Sequence, residues 1–295
     1  MRTGLPHPRS VRRVYVVQSR TVLVSRGQDR EKVSVMSGSQ TRLGPDSASH
    51  KPGGCADLLR WEPQLEWVRQ ALAAGRRYPA SLALETVVVT TVTVATIRFL
   101  NEQSGLSFKW LMISCLLVTA AFVPTWLRKS EFPPICIDRK CATVSLYMVC
   151  CACLCTIPVV FLGLWLMARV HVPIPLRPAV TGSDDWFTWL VYQFLYVAVA
   201  EEVFFRGYFQ ANVMRILGGM HPFPHRIDAH AAVLISAACF ALAHVVVQGQ
   251  VTSVLTFLPG LVLAWLFLRT QSLLAPILFH GLANISYGVI ALSLT

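Results

Sequence analysis

At 295 residues, with 54% hydrophobic and 14% charged side chains and a positive mean hydropathy, the chain lies outside the composition of a soluble globular domain. Runs of about 20 apolar residues recur through its second half, long enough to cross a hydrocarbon core of roughly 30 Å, so the sequence reads as a polytopic membrane protein in contact with the lipid bilayer. The net charge of +11 gives no reason to expect a nucleic-acid partner, because the basic residues fall in the N-terminal stretch and in particular loops, as the positive-inside rule expects.

Residues 1–54 are rich in Arg, Ser and Gly, with short Val-rich runs (VYVVQ, VLV) and no sustained period. Two readings stay open there: a disordered basic arm, or a translation start at Met36. No segment has the apolar core of a signal peptide. Residues 55–78 place Leu58, Leu59, Trp61, Leu65, Trp67, Val68, Ala71 and Leu72 at partly helical spacing, interrupted by Pro63. An interfacial amphipathic helix with Trp at headgroup level is the expectation.

Residues 79–295 form the transmembrane domain. Seven spans are predicted, at about 79–99, 109–127, 142–168, 186–208, 229–248, 252–269 and 273–294. The fold class is therefore all-α, a bundle of about seven transmembrane helices. The first span is the weakest, being Thr- and Val-rich with Glu85 and Arg98 inside it. The fourth can run on into ANVMRIL, since no proline lies between Trp186 and Leu217; Ser183, Asp184 and Asp185 offer it an N-cap and an acidic first turn. Arg76 and Arg77, the group Arg128, Lys129, Arg139 and Lys140, the pair Arg215 and Arg226, and Arg269 all fall on one side of these spans. With seven spans that side, and the N-terminus with it, is cytoplasmic. Nine cysteines are present, four of them in CCACLC (Cys150, Cys151, Cys153, Cys155). Successive positions on a helix point in different directions, so small apolar packing is favoured over a zinc site.

Within the fourth span, AEEVFFRG sets Glu201, Glu202 and Arg206 among apolar residues. An ionisable residue at the centre of a membrane helix costs roughly 2.5–3.5 kcal/mol on insertion scales. Glu202 and Arg206 are four apart and share a helix face, so an ion pair accounts for them. Glu201 lies about 100° around the helix and needs another reason. Three further polar or flexible sites follow: Phe240-x-x-x-His244, Phe257-x-x-Gly260 and His280-x-x-x-Asn284. Pro259 and Gly260 are expected to loosen span six and admit a close helix neighbour. At about 1.5 Å per residue, Glu201, His244 and His280 all fall within roughly 10 Å of the midplane, which favours one shared intramembrane polar cavity.

A carboxylate beside a histidine can bind and deprotonate a water for attack on a carbonyl. A second histidine and an amide on one face can donate to an oxyanion. No metal or other cofactor is required for that chemistry, although Glu201, His244 and His280 offer a His₂Glu zinc set as an alternative. A transporter using the carboxylates as a proton relay would show discontinuous helices in paired halves, and no such pattern is visible.

EExxxR, FxxxH, FxxG and HxxxN, in this order on successive membrane helices, resemble the CAAX protease and bacteriocin-processing family, the type II CAAX prenyl endopeptidase-like proteins. The likeness covers about residues 185–290. It implies an intramembrane glutamate endopeptidase without a cofactor, acting on a membrane-associated or lipidated peptide or protein. By position, Glu201 resembles the water-activating glutamate, His244 its partner, Glu202 the second glutamate, Arg206 its structural partner, and His280 with Asn284 the oxyanion pair. Phe240 and Gly260 belong to the supporting motifs. The cytoplasmic membrane of a prokaryote is the expected location. A non-catalytic role, such as bacteriocin self-immunity or scaffolding, is the alternative.

Overall fold

Apolar runs of the predicted lengths become helices, and the helices leave much of their apolar surface facing outward. In the computed structural model, residues 14–17, 20–23, 79–103, 108–135, 138–170, 186–220 and 226–294 are described. The chain divides into two compact units, Met1–Pro52 and Gly53–Thr295. In the first, the Val-rich runs form an antiparallel pair, β1 (Val14–Val17) and β2 (Arg20–Leu23), with Val14 opposite Leu23. The rest of residues 1–54, and with it the disordered arm or the start at Met36, lies outside the described residues. So do the helix expected over 55–78 and the cap at Ser183–Asp185.

The second unit is helical throughout its described elements. These are α1 (Pro79–Glu102), α2 (Lys109–Leu127), α3 (Arg139–Arg169), α4 (186–220), α5 (Arg226–Gln248), α6 (Phe257–Thr270) and α7 (Leu274–Leu294). A 3₁₀ segment, Val251–Thr256, leads into α6. Among the described residues, six stretches are long and apolar enough to cross a membrane, and α7 is apolar over Leu274–Ile290. Large apolar side chains such as Trp126, Leu154, Val159, Phe187, Leu242 and Leu258 point outward. Water would penalise such a surface, whereas lipid accepts it. The protein is an integral multi-pass membrane protein.

Helix α1 shows why its composition made it look weak. Thr86, Thr90, Thr93 and Ile97 form its buried face, while Leu84, Val87, Val88 and Val92 are exposed. Small residues let membrane helices approach closely, so Thr86, Thr90 and Thr93 face protein while Val87, Val88 and Val92 face outward. The two charges are also matched. Glu85 Oε1 accepts a hydrogen bond from Tyr208 at 3.1 Å and lies 3.5 Å from Arg128; Arg98 pairs with Glu102 at 2.7 Å.

Helix α4 is the axis of the bundle, contacting α1, α2, α5, α6 and α7. It continues past Gly207 as expected, but not as uniform α-helix. Tyr192–Ala198 and Val203–Gln210 are π-helical and flank a short α-turn, Val199–Glu202. Such widened turns concentrate at functional sites. Every residue from Glu202 to Arg215 is buried.

Span six changes character beside Pro259: the 3₁₀ segment Val251–Thr256 passes into α-helix at Phe257, and Pro259 stands in the first α-turn, which tolerates proline. Gly260 does admit a close neighbour: a Cβ there would lie 3.2 Å from the Phe240 ring and 3.5 Å from the Ala237 backbone of α5. On α3, Asp138 caps the helix by accepting from the Cys141 amide at 3.1 Å. Of its cysteines, Cys150 and Cys155 are exposed and Cys151 and Cys153 partly buried, all unpaired.

Candidate active site

The two adjacent glutamates occupy the α-turn between the π segments and face different surroundings. Glu202 and Arg206 are both fully buried. Glu202 Oε1 accepts two hydrogen bonds, from Arg206 Nη1 at 3.1 Å and from His280 Nδ1 at 2.7 Å. Arg206 also donates through Nη2 to the Gly260 carbonyl at 3.2 Å, and its guanidinium carbon lies 4.5 Å from the Phe240 ring centre. The Glu202–Arg206 pair therefore ties α4 to α5, α6 and α7. Phe240 completes the wall, edge-on to Phe205 at 5.0 Å and to His280 at 6.0 Å. The spacing anticipated the Glu202–Arg206 pair. It did not anticipate that His280, 78 positions away, would share the same oxygen.

Glu201 is partly exposed. Its Oε2 lies 3.8 Å from His244 Nε2 and 3.8 Å from His280 Nε2, and among the described residues it accepts no hydrogen bond. These spacings are too long for direct hydrogen bonds and suit a bridging water about 2.8 Å from each atom. The tautomer of His244 follows from its other nitrogen. Nδ1 meets the Phe240 carbonyl at 2.9 Å, and a carbonyl only accepts, so Nδ1 carries the proton. In neutral His244, Nε2 then presents a lone pair toward Glu201.

Asn284, one turn beyond His280 on α7, donates from Nδ2 to Gln193 Oε1 at 3.0 Å. Glu201, His244, His280 and Asn284 line one cavity of about 280 Å³, together with Trp189, Gln193, Val197, Gln248, Tyr287 and Gly288. The structure thus brings together all the residues singled out as catalytic candidates except Glu202, which sits directly behind the wall. Gln193 was missed from sequence. Its signal was available, as a lone amide in the aromatic run WLVYQFLY, eight residues before Glu201.

Among the described residues, no group of three or more His, Cys, Asp or Glu side chains is placed to hold a metal ion. The charges within the wall balance when His280 carries both protons: Glu201 and Glu202 face Arg206 and His280. A compensated cluster of this kind is what makes burial of ionised groups tolerable.

A membrane-spanning helical bundle with a carboxylate–imidazole cavity among its helices is the class that fold and site define. Residues 183–286, roughly a third of the chain, match the family model described as type II CAAX prenyl endopeptidase Rce1-like, which supports the likeness to CAAX proteases over that region. No curated protein and no solved structure matches the chain. The family match supports, in general terms, a CAAX-protease-like membrane endopeptidase.

Proposed function

We propose that the protein hydrolyses a peptide bond of a membrane-associated or lipidated polypeptide, with the attacking water activated by Glu201 and His244. The observation that carries this is the pair of hydrogen-bond acceptors, Glu201 Oε2 and His244 Nε2, set 3.8 Å apart toward one cavity. A water between them donates one hydrogen to each and turns its lone pairs outward to a substrate carbonyl. Glu201 takes the proton as the water oxygen bonds to the carbonyl carbon, then returns it to the leaving amine as the C–N bond breaks. The oxyanion formed in between needs donors. Asn284 has one Nδ2 hydrogen left after Gln193, and doubly protonated His280 offers Nε2–H. Glu202 holds His280 in that orientation, and Arg206 holds Glu202.

The test compares Glu201→Gln with Glu202→Gln, using cleavage of a prenylated CAAX peptide and the amount of folded protein in membranes. Glu201→Gln should accumulate normally and lose at least about 10²-fold in turnover. Glu202→Gln should lose both, because it strips Arg206 and His280 of a shared charged partner. Undiminished cleavage by Glu201→Gln would sink the mechanism, and a cellular phenotype kept by that variant would favour the self-immunity or scaffold role. Chelation distinguishes the zinc alternative: the water mechanism keeps its activity, whereas loss restored by Zn²⁺ would make Glu201, His244 and His280 ligands. The proposed location is the cytoplasmic membrane of a prokaryote, which fractionation of the source cells checks.

A further inference from the structure

The cavity is polarised along the bundle. Trp189, Gln193 and Glu201 descend the first half of α4, His244 and Gln248 stand at the C-terminal end of α5, and Asn284 and Tyr287 lie in the C-terminal half of α7. These three regions belong to one end of the bundle, because consecutive helices α4 to α7 alternate in direction. The C-terminal end of α1 joins them there, where Arg98 and Asn101 reach the Val247 carbonyl at 3.5 and 3.4 Å. Toward the other end α4 is closed, with every residue from Glu202 to Arg215 buried. Access to Glu201 runs from the α4 N-terminal end.

The closed end is where the basic residues gather. Arg215 donates to the Glu131 carbonyl at 2.7 Å, Arg128 to Asn212 at 3.3 Å, and the Leu273 amide to the Pro134 carbonyl at 3.2 Å. The connections after α2 and α6 and the C-terminal part of α4 therefore lie at one level. Those connections and helix ends carry Arg128, Lys129, Arg139, Lys140, Arg215, Arg226 and Arg269. The open end has Arg98, which is paired with Glu102, and Lys109, Arg169 and Arg177, with no basic residue at all between α5 and α6. Basic residues near helix ends mark the cytoplasmic face.

We propose that the catalytic cavity opens on the side of the membrane away from the cytoplasm, so that the substrate is an exported or membrane-inserted polypeptide presented from that side. A cytosolic lipidated C-terminus would meet the closed, basic end. The substrate class rests on the hydrolase reading above, whereas the orientation does not.

Two measurements test it in whole cells without relying on turnover. The C-terminus follows α7 at the open end, so alkaline phosphatase fused after Thr295 should be active and a green fluorescent protein fused there dark. The same reporters in the 127–141 connection should give the opposite result. Gln248→Cys should add label from a membrane-impermeant maleimide in intact cells, above that of the unsubstituted chain. A fluorescent C-terminal fusion overturns the proposal, as does Gln248→Cys label that appears only after permeabilisation or not at all. Because both readouts are indifferent to catalysis, an outward-facing protein that cleaves nothing would fault the hydrolase reading and leave the orientation standing.

Discussion

At the scale of single residues, Arg206 has the most partners to lose. Replacing it with Ala leaves Glu202 ionised and buried without its guanidinium, a change that typically destabilises by about 3–5 kcal/mol. Lys does not restore it, since an ammonium lacks the planar fork that reaches Glu202 and the Gly260 carbonyl together. Both variants should show lowered thermal unfolding temperatures in detergent, Ala more than Lys. Asn284→Ala should cut kcat by about 10²–10³-fold, the loss expected for one oxyanion donor, with a smaller effect on KM. Gln193→Leu should cost about tenfold, in line with roughly 1.4 kcal/mol for one positioning hydrogen bond. Steady-state kinetics on the two variants checks that order. Sequence exposed Glu201, Glu202 and Arg206 because charge inside an apolar run is conspicuous. The His280–Glu202 bond was hidden, because no local rule relates residues on α4 and α7.

At the scale of elements, the contact between α4 and α7 depends on a missing side chain. A Cβ at Gly281 would run into the Phe194 ring, on the first π segment of α4. Gly281→Ala should destabilise by about 1–3 kcal/mol through overpacking, and Phe194→Leu should recover part of that loss in the double variant. Thermal unfolding of the four proteins of that cycle decides it. Each of the seven predicted spans is occupied by a helix, because hydropathy over about 20 residues reports whether a segment suits lipid. The π segments were illegible, since a widened turn is set by what packs around it and not by local propensity.

At the scale of the whole molecule, the apolar outside and the polar inside follow one rule, and α1 obeys it against its composition. Its threonines looked like a poor membrane segment in sequence because hydropathy averages around the helix. In the fold Thr86, Thr90 and Thr93 are buried while Val87, Val88 and Val92 face outward. The convergence of four motifs on one site was legible only as an argument from depth. The Glu202–Arg206 pair shows how the packing realises it, with Arg206 reaching α5 and α6 and Glu202 reaching His280 on α7.

A cavity that ends at Glu201 leaves the rest of α4 to act as the insulator. The buried stretch of α4 from Glu202 to Arg215 is 14 residues, roughly 20 Å at about 1.5 Å per residue. Most of the transmembrane voltage then falls across that stretch, and Glu201 stands at its upper edge. Proteoliposomes containing the protein should hold a proton gradient, while Arg206→Ala, which opens the seam between four helices, should leak.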